Sequence, residues 1–180
     1  DSVGADFYRA LRSIETRLGA NPVVVNLPIG SEDKLVGVLD VLEMKAYHWS
    51  GESGVEMSVH PIPENMADIA EVYREKLISA ASDFDESLAE AYLNGKEIAA
   101  EDLRAAIRVG TLENSIVPVV SGSSFKNKGV QRLLDAIVDF LPSPTDVPPV
   151  EGHVSVDKVA VRKPSDSEPF SALAFKVMTD

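Results

Sequence analysis

Ile116-Val117-Pro118-Val119-Val120-Ser121-Gly122-Ser123-Ser124-Phe125-Lys126-Asn127-Lys128-Gly129 passes from an apolar run into a small polar loop, and the amphipathic stretch Val130 to Leu141 follows. The pattern reads as strand, loop, helix, with a lysine in the loop. Pro118 lies inside the apolar run and has no N–H for a ladder, so the strand belongs at a sheet edge. In α/β folds ligands sit outside the carboxyl ends of strands, at loops of this kind. Backbone N–H groups there can read a polar ring edge, and a lysine stem can lie across the flat face of a base. The same tetrapeptide, Ser123 to Lys126, also fits a plain βα loop.

The helix after the loop is expected to bury Val130, Leu133, Leu134, Ile137, Val138 and Leu141. So broad a stripe suggests packing against a sheet. Pro142-Ser143-Pro144-Thr145-Asp146-Val147-Pro148-Pro149 cannot continue it and reads as an extended, semi-rigid linker. Beyond it, 150–162 and 170–178 alternate apolar with polar or small residues and read as strands around the loop Lys163 to Pro169.

On the other side, 4–18 reads as a helix with Phe7, Leu11, Ile14 and Leu18 on one face and Gly19 at the C′ position. Asn21-Pro22 breaks it. Val23 to Val25 starts a strand ending at Pro28, and Gly30 to Asp33 is a loop. Leu35 to Leu42, Met44 to Trp49 and Val55 to His60 read as an antiparallel meander, with a turn over 50–54. From Glu64 to Ser82 the period becomes helical, with Met66, Ile69, Ala70, Tyr73, Leu77 and Ala80 in an apolar stripe. Glu64, Asp68, Glu71 and Glu75 line another face. Shorter helices are expected over about 86–93, ended by Asn94-Gly95, and about 101–109, with Gly110 and Asn114 flanking its exit. The order predicts an α+β insert within a larger α/β domain.

Composition limits the function classes. A chain of 180 residues with 44% hydrophobic and 26% charged residues can bury a real core. It has no cysteine, which excludes disulfides and thiolate metal sites. His48, His60 and His153 form no ligand spacing, so no metal site is expected. No apolar run approaches the roughly 20 residues needed to span a bilayer, and no secretory leader is visible. The net charge is −12, with no block of Lys and Arg, which argues against autonomous nucleic-acid binding. A basic protein partner fits that charge, as does a plain solubilising surface. Asp1 opens the chain without an initiator Met and the strand at 172–178 stops abruptly, so a piece of a longer protein is expected.

With these elements placed, the chain resembles elongation factor G, a family of translational GTPases. The resemblance rests on Gly4-Ala5-Asp6-Phe7, Leu18-Gly19-Ala20-Asn21-Pro22, Leu27-Pro28-Ile29-Gly30, Met44-Lys45-Ala46-Tyr47 with Trp49, Phe125-Lys126-Asn127-Lys128-Gly129-Val130-Gln131, Leu134-Asp135-Ala136, Leu141-Pro142-Ser143-Pro144 and Pro169-Phe170-Ser171-Ala172-Leu173-Ala174-Phe175-Lys176. These matches follow the family order across essentially the whole chain. The implied fold class is α/β: the C-terminal part of a P-loop GTPase domain with an α+β insert, followed by the first strands of a β-barrel domain. The implied division is 1–19 and 114–141 in the GTP-binding domain, 20–113 as the G′ insert, 142–150 as linker and 151–180 as the start of the barrel.

The resemblance also implies site residues. Asp1 stands where the Asp of the family's Asn-Lys-x-Asp motif belongs, and would accept from the guanine N1–H and 2-amino group. Ser123 would brace that carboxylate, the Ser124 N–H would donate to guanine O6, and Lys126 would stack along the base or ribose. The family usually has Ala where Ser124 stands. Glu64, Asp68, Glu71 and Glu75 would face a basic surface of the ribosomal stalk protein. The implied nucleotide is GTP or GDP, the partners are the ribosome and its stalk, and the address is cytoplasmic. No Gly-x-x-x-x-Gly-Lys-Ser/Thr occurs in the chain, so phosphate, Mg²⁺ and catalytic residues are expected elsewhere in a longer protein. Other translational GTPases, of the ribosomal-protection or release-factor recycling type, are the alternative within this class. A non-enzymatic binding module acting through the acidic helix is the alternative outside it.

Overall fold

A computed structural model describes residues 1–51, 54–156 and 158–178. The chain is mixed α/β and forms two compact units, Asp1–Leu141 and Pro142–Asp180. Among the described residues no helix is long and apolar enough to cross a membrane.

In the first unit, α1 (Phe7–Leu18) is capped by the Asp6 carboxylate, which accepts from Arg9 N, and is closed by Gly19 at φ 62°. It starts three residues later than the periodicity predicts, because Asp6 takes the cap position. Leu18, expected on its inner face, is 75% exposed. The apolar run that follows divides between two sheets. β1 (Pro22–Val24) pairs in parallel with β6 (Val117–Val119), while β2 (Asn26–Ile29) starts the meander. Val25 joins them: its N–H donates to Val119 O and its carbonyl accepts from Val41 N, both at 2.9 Å. Pro118 is tolerated because the ladder uses Val117 N, on Asn21 O, and Val119 O.

The meander continues through β3 (Gly37–Asp40), β4 (Lys45–Ser50) and β5 (Glu56–His60), antiparallel throughout and in the order β2-β3-β4-β5. A 3-10 turn at Glu32–Lys34 occupies part of the expected loop. Glu52 and Ser53 of the expected turn lie outside the described residues. Three helices follow: α2 (Ala67–Ser82), α3 (Glu86–Leu93) and α4 (Ala100–Leu112). Glu64 lies in a separate 3-10 turn ahead of α2. Gly110 sits inside α4 instead of at its exit, because a Cβ there would meet the Phe84 ring at 2.5 Å. Asn114, at φ 57°, makes the turn into β6.

The main core joins Leu27, Leu39 and Ala46 of the sheet to Ala70 and Leu77 of α2 and to Leu103 and Ile107 of α4. Val38, Tyr47 and Trp49 form a smaller cluster, so β3 and β4 are buried on both faces. α5 (Val130–Phe140) departs most from expectation. Leu133, Leu134, Ile137, Val138 and Leu141 are all exposed, with Val138 at 77%, whereas Phe140 is the buried residue at 2%.

In the second unit, β7 (Val150–Ser155) and β8 (Lys158–Arg162) form an antiparallel hairpin. β7 begins at Val150, inside the stretch expected as linker. The preceding segment is not uniformly extended: Asp146 N donates to Ser143 O, and Ser143 N to Asp146 Oδ2, closing a turn. The strand expected over 170–178 is not formed. Its apolar residues Phe170, Leu173, Phe175 and Val177 are exposed with no ladder partner among the described residues. Alternation marks a residue pattern suited to a sheet, but a strand exists only where a neighbour supplies hydrogen bonds.

Candidate functional site

The loop at the carboxyl end of β6 is a closed miniature hairpin. Ser123 N donates to Lys128 O at 2.8 Å and Lys128 N donates to Ser123 O at 2.9 Å. Asn127 at φ 50° and Gly129 at φ 83° turn the chain back toward α5. Gly122 is required by proximity, since a Cβ there would lie 2.7 Å from Lys128 O.

Ser123 is buried and its hydroxyl organises the loop. Oγ accepts from Lys126 N at 3.1 Å and donates to Asp1 Oδ2 at 2.7 Å. The structure therefore brings Asp1 and Ser123 together across 122 positions of sequence. The N-terminal segment is held a second time, where Gly4 N donates to Glu32 Oε1 at 2.6 Å. Ser124 is exposed and its backbone N–H has no acceptor among the described residues. Lys126 is partly exposed and makes no side-chain bond within the described chain. One fixed carboxylate, one free amide and one free ammonium thus surround the loop. That donor and acceptor set suits a planar polar ring. A cleft of about 960 Å³ opens alongside, lined by Asp1, Asp6, Arg9, Glu32, Val120 and Ser121. It reaches the site at Asp1 and Ser121 and stops short of Ser124 and Lys126.

Supports for this loop escaped the sequence reading. Asn26 is buried, and its Oδ1 accepts from both Ser121 N and Ser121 Oγ, at 2.7 and 2.8 Å. A lone amide side chain within Val23-Val24-Val25-Asn26-Leu27 was the available signal, because a buried polar group requires partners. Lys128 Nζ donates to Leu35 O at 2.7 Å, and Trp49 Nε1 donates to Gln131 Oε1 at 3.0 Å. Both pairs are far apart in sequence and leave no local pattern.

Below the loop lies a charged network. Arg132 donates to Asp40 Oδ2 at 2.5 Å, Glu43 Oε1 at 3.0 Å and Asp135 Oδ2 at 3.0 Å, and covers the Tyr47 ring at 4.5 Å. Burial and the hydrogen bond to Glu43 push the Tyr47 hydroxyl up to about 12. Burial alone would raise Glu43, but the Tyr47 hydroxyl and the Arg132 guanidinium outweigh it and hold Glu43 below its ordinary value. Arg74 staples the β3–β4 turn to the segment before α4, through Val41 O, Leu42 O and Ile98 O. Apart from the buried Arg132 Nε, which has no partner among the described residues, these groups engage one another and the backbone, the pattern of a structural network.

The acidic line sits apart from this loop. Glu64, Asp68, Glu71 and Glu75 are all exposed and form no ion pair or side-chain hydrogen bond among the described residues. Among the described residues no cluster of three or more His, Cys, Asp or Glu could hold a metal ion.

No family model matches the chain. A crystal structure of a protein from Thermus thermophilus is similar, with a TM-score of 0.68 and 31% identity over 81% of this chain and 22% of that one. The chain thus spans 22% of that protein's length.

Proposed function

We propose that this chain carries part of the guanine-recognition site of a translational GTPase of the elongation factor G type. The observation that carries the reading is the Asp1–Ser123 hydrogen bond at 2.7 Å, made at the carboxyl end of a parallel strand. A carboxylate held by a neighbouring hydroxyl is aimed to accept a pair of donors. Guanine offers that pair at N1–H and the 2-amino group, and adenine offers neither. The free Ser124 N–H supplies a donor for O6, and Lys126 supplies a stem to lie across the ring. A site built on such bonds discriminates strongly, because the wrong base leaves polar groups unpaired.

In a longer protein holding a phosphate loop and Mg²⁺ site, this segment would fix which nucleotide is bound, and hydrolysis would drive ribosomal translocation of tRNA and mRNA. Amide shifts of Ser123, Ser124 and Lys126 under millimolar GDP and ADP test the reading. Saturable shifts with GDP alone, weakened in Lys126→Ala, are expected. Equal responses to ADP would reject it.

A second activity of the same chain rests on the exposed carboxylates at Glu64, Asp68, Glu71 and Glu75. We propose that they contact a basic surface of the ribosomal stalk protein, where charge complementarity speeds encounter more than it deepens affinity. Titration with the stalk C-terminal domain should show salt-dependent binding that Glu71→Lys with Glu75→Lys abolishes. Binding indifferent to both salt and charge reversal would remove this role.

A further inference from the structure

The loop Ser123–Lys128 is gripped from outside by the meander. Gly54, just before β5, is buried at φ 57°, and a Cβ there would lie 2.3 Å from Lys126 O and 3.1 Å from Asn127 O. Both are backbone atoms, so a side chain at this position forces either the loop or the turn at Gly54 to shift, in a backbone conformation that already disfavours any Cβ. Leu35 O holds Lys128 Nζ at 2.7 Å, ahead of β3. Trp49, in β4, holds Gln131 at 3.0 Å, in the first turn of α5. Three separate positions of the insert therefore touch the tip, the closing end and the exit of one loop.

The contact at the tip is chained to the site. Gly54 abuts Lys126 O, Lys126 N donates to Ser123 Oγ, and Ser123 Oγ donates to Asp1 Oδ2. The two Ser123–Lys128 backbone bonds close the loop, so its tip cannot yield without turning Ser123. We propose that the insert acts as a positioning clamp on this loop, and that Gly54 and Trp49 set its selectivity for the base through the orientation of Ser123. The clamp rests on the guanine-recognition reading for its ligand, although its mechanics do not.

The test compares Gly54→Ala and Trp49→Phe with the unaltered chain, using GDP and IDP as probes. IDP keeps N1–H and O6 but lacks the 2-amino group, so the ratio of GDP to IDP affinity reports the contact with Asp1. That ratio should fall about tenfold in Gly54→Ala and about threefold in Trp49→Phe, the scale of one charged or one neutral hydrogen bond. A purely structural loss lowers both affinities alike and leaves the ratio intact, and that result overturns the clamp. Amide positions of Ser123 and Lys126 without nucleotide provide the second readout. If the unaltered chain binds neither probe, the guanine reading fails, and the clamp stands if these amides shift in the variants and falls if they do not. Should Gly54→Ala fail to fold, Trp49→Phe decides by the same two measurements.

Discussion

Ser123 uses one oxygen for two tasks, as acceptor for Lys126 N and donor to Asp1. Ser123→Ala removes both and leaves the part-buried Lys126 N–H without its acceptor. The expected outcome is a loss of about 1–3 kcal/mol in unfolding free energy by urea titration, with the loop amides moved. Ser123→Thr keeps the hydroxyl and should recover most of the loop shifts if its methyl is accommodated. The pairing of Ser123 with Asp1 was expected only through resemblance, since nothing in local spacing links positions 122 apart. Asn26 signals a buried partner as a polar residue in an apolar strand, whereas nothing local distinguishes Gly54 from any turn glycine, and its place beside Lys126 O is set by the fold.

At the scale of elements, α5 separates pattern from burial. Its apolar residues recur at helical spacing, yet Val138 is exposed while Phe140 fills the core. Phe140→Ala should cost about 3–5 kcal/mol, as removal of a buried aromatic side chain does. Val138→Lys should stay within about 0.5 kcal/mol, as an exposed substitution does. Chemical denaturation of the two variants checks the assignment, and reversed costs would contradict it. The β meander was legible because short apolar and β-branched runs are separated by turn residues there. The same signals misled over 170–178, where alternation is present without a strand to pair with. For α4, Gly110 suggested a helix end, whereas its lack of a side chain makes room for Phe84.

For the whole molecule, the pH dependence follows from groups on the meander. His48 is held below its ordinary 6.5, by burial first and then by the His60 ring at 4.7 Å. A depressed folded value means that the unfolded chain binds the proton more readily. Stability from His48 is complete above 6.5 and is lost as pH falls through its folded value. Glu43 lies below 4.5 in the folded chain, so its contribution holds above 4.5 and is lost at lower pH. Urea titrations from neutral to acid pH should show stability falling in two stages. His48→Gln should flatten the upper stage and Glu43→Gln the lower. General relief of the −12 charge acts on all variants alike, so the difference curves isolate each group.

Residue pattern alone is enough for the meander, the three helices and the strand-loop-helix carrying Ser123 and Lys126. Periodicity, caps and turn residues act within a few positions, where chain geometry alone fixes which residues share a face. Which faces are covered, that Val25 bridges two sheets, and that Gly54 meets the tip of the Ser123 loop depend on how distant segments pack. The difference is one of range. Local geometry orients a side chain about its own axis, but burial and hydrogen-bond partnership depend on which distant segment the fold lays against it.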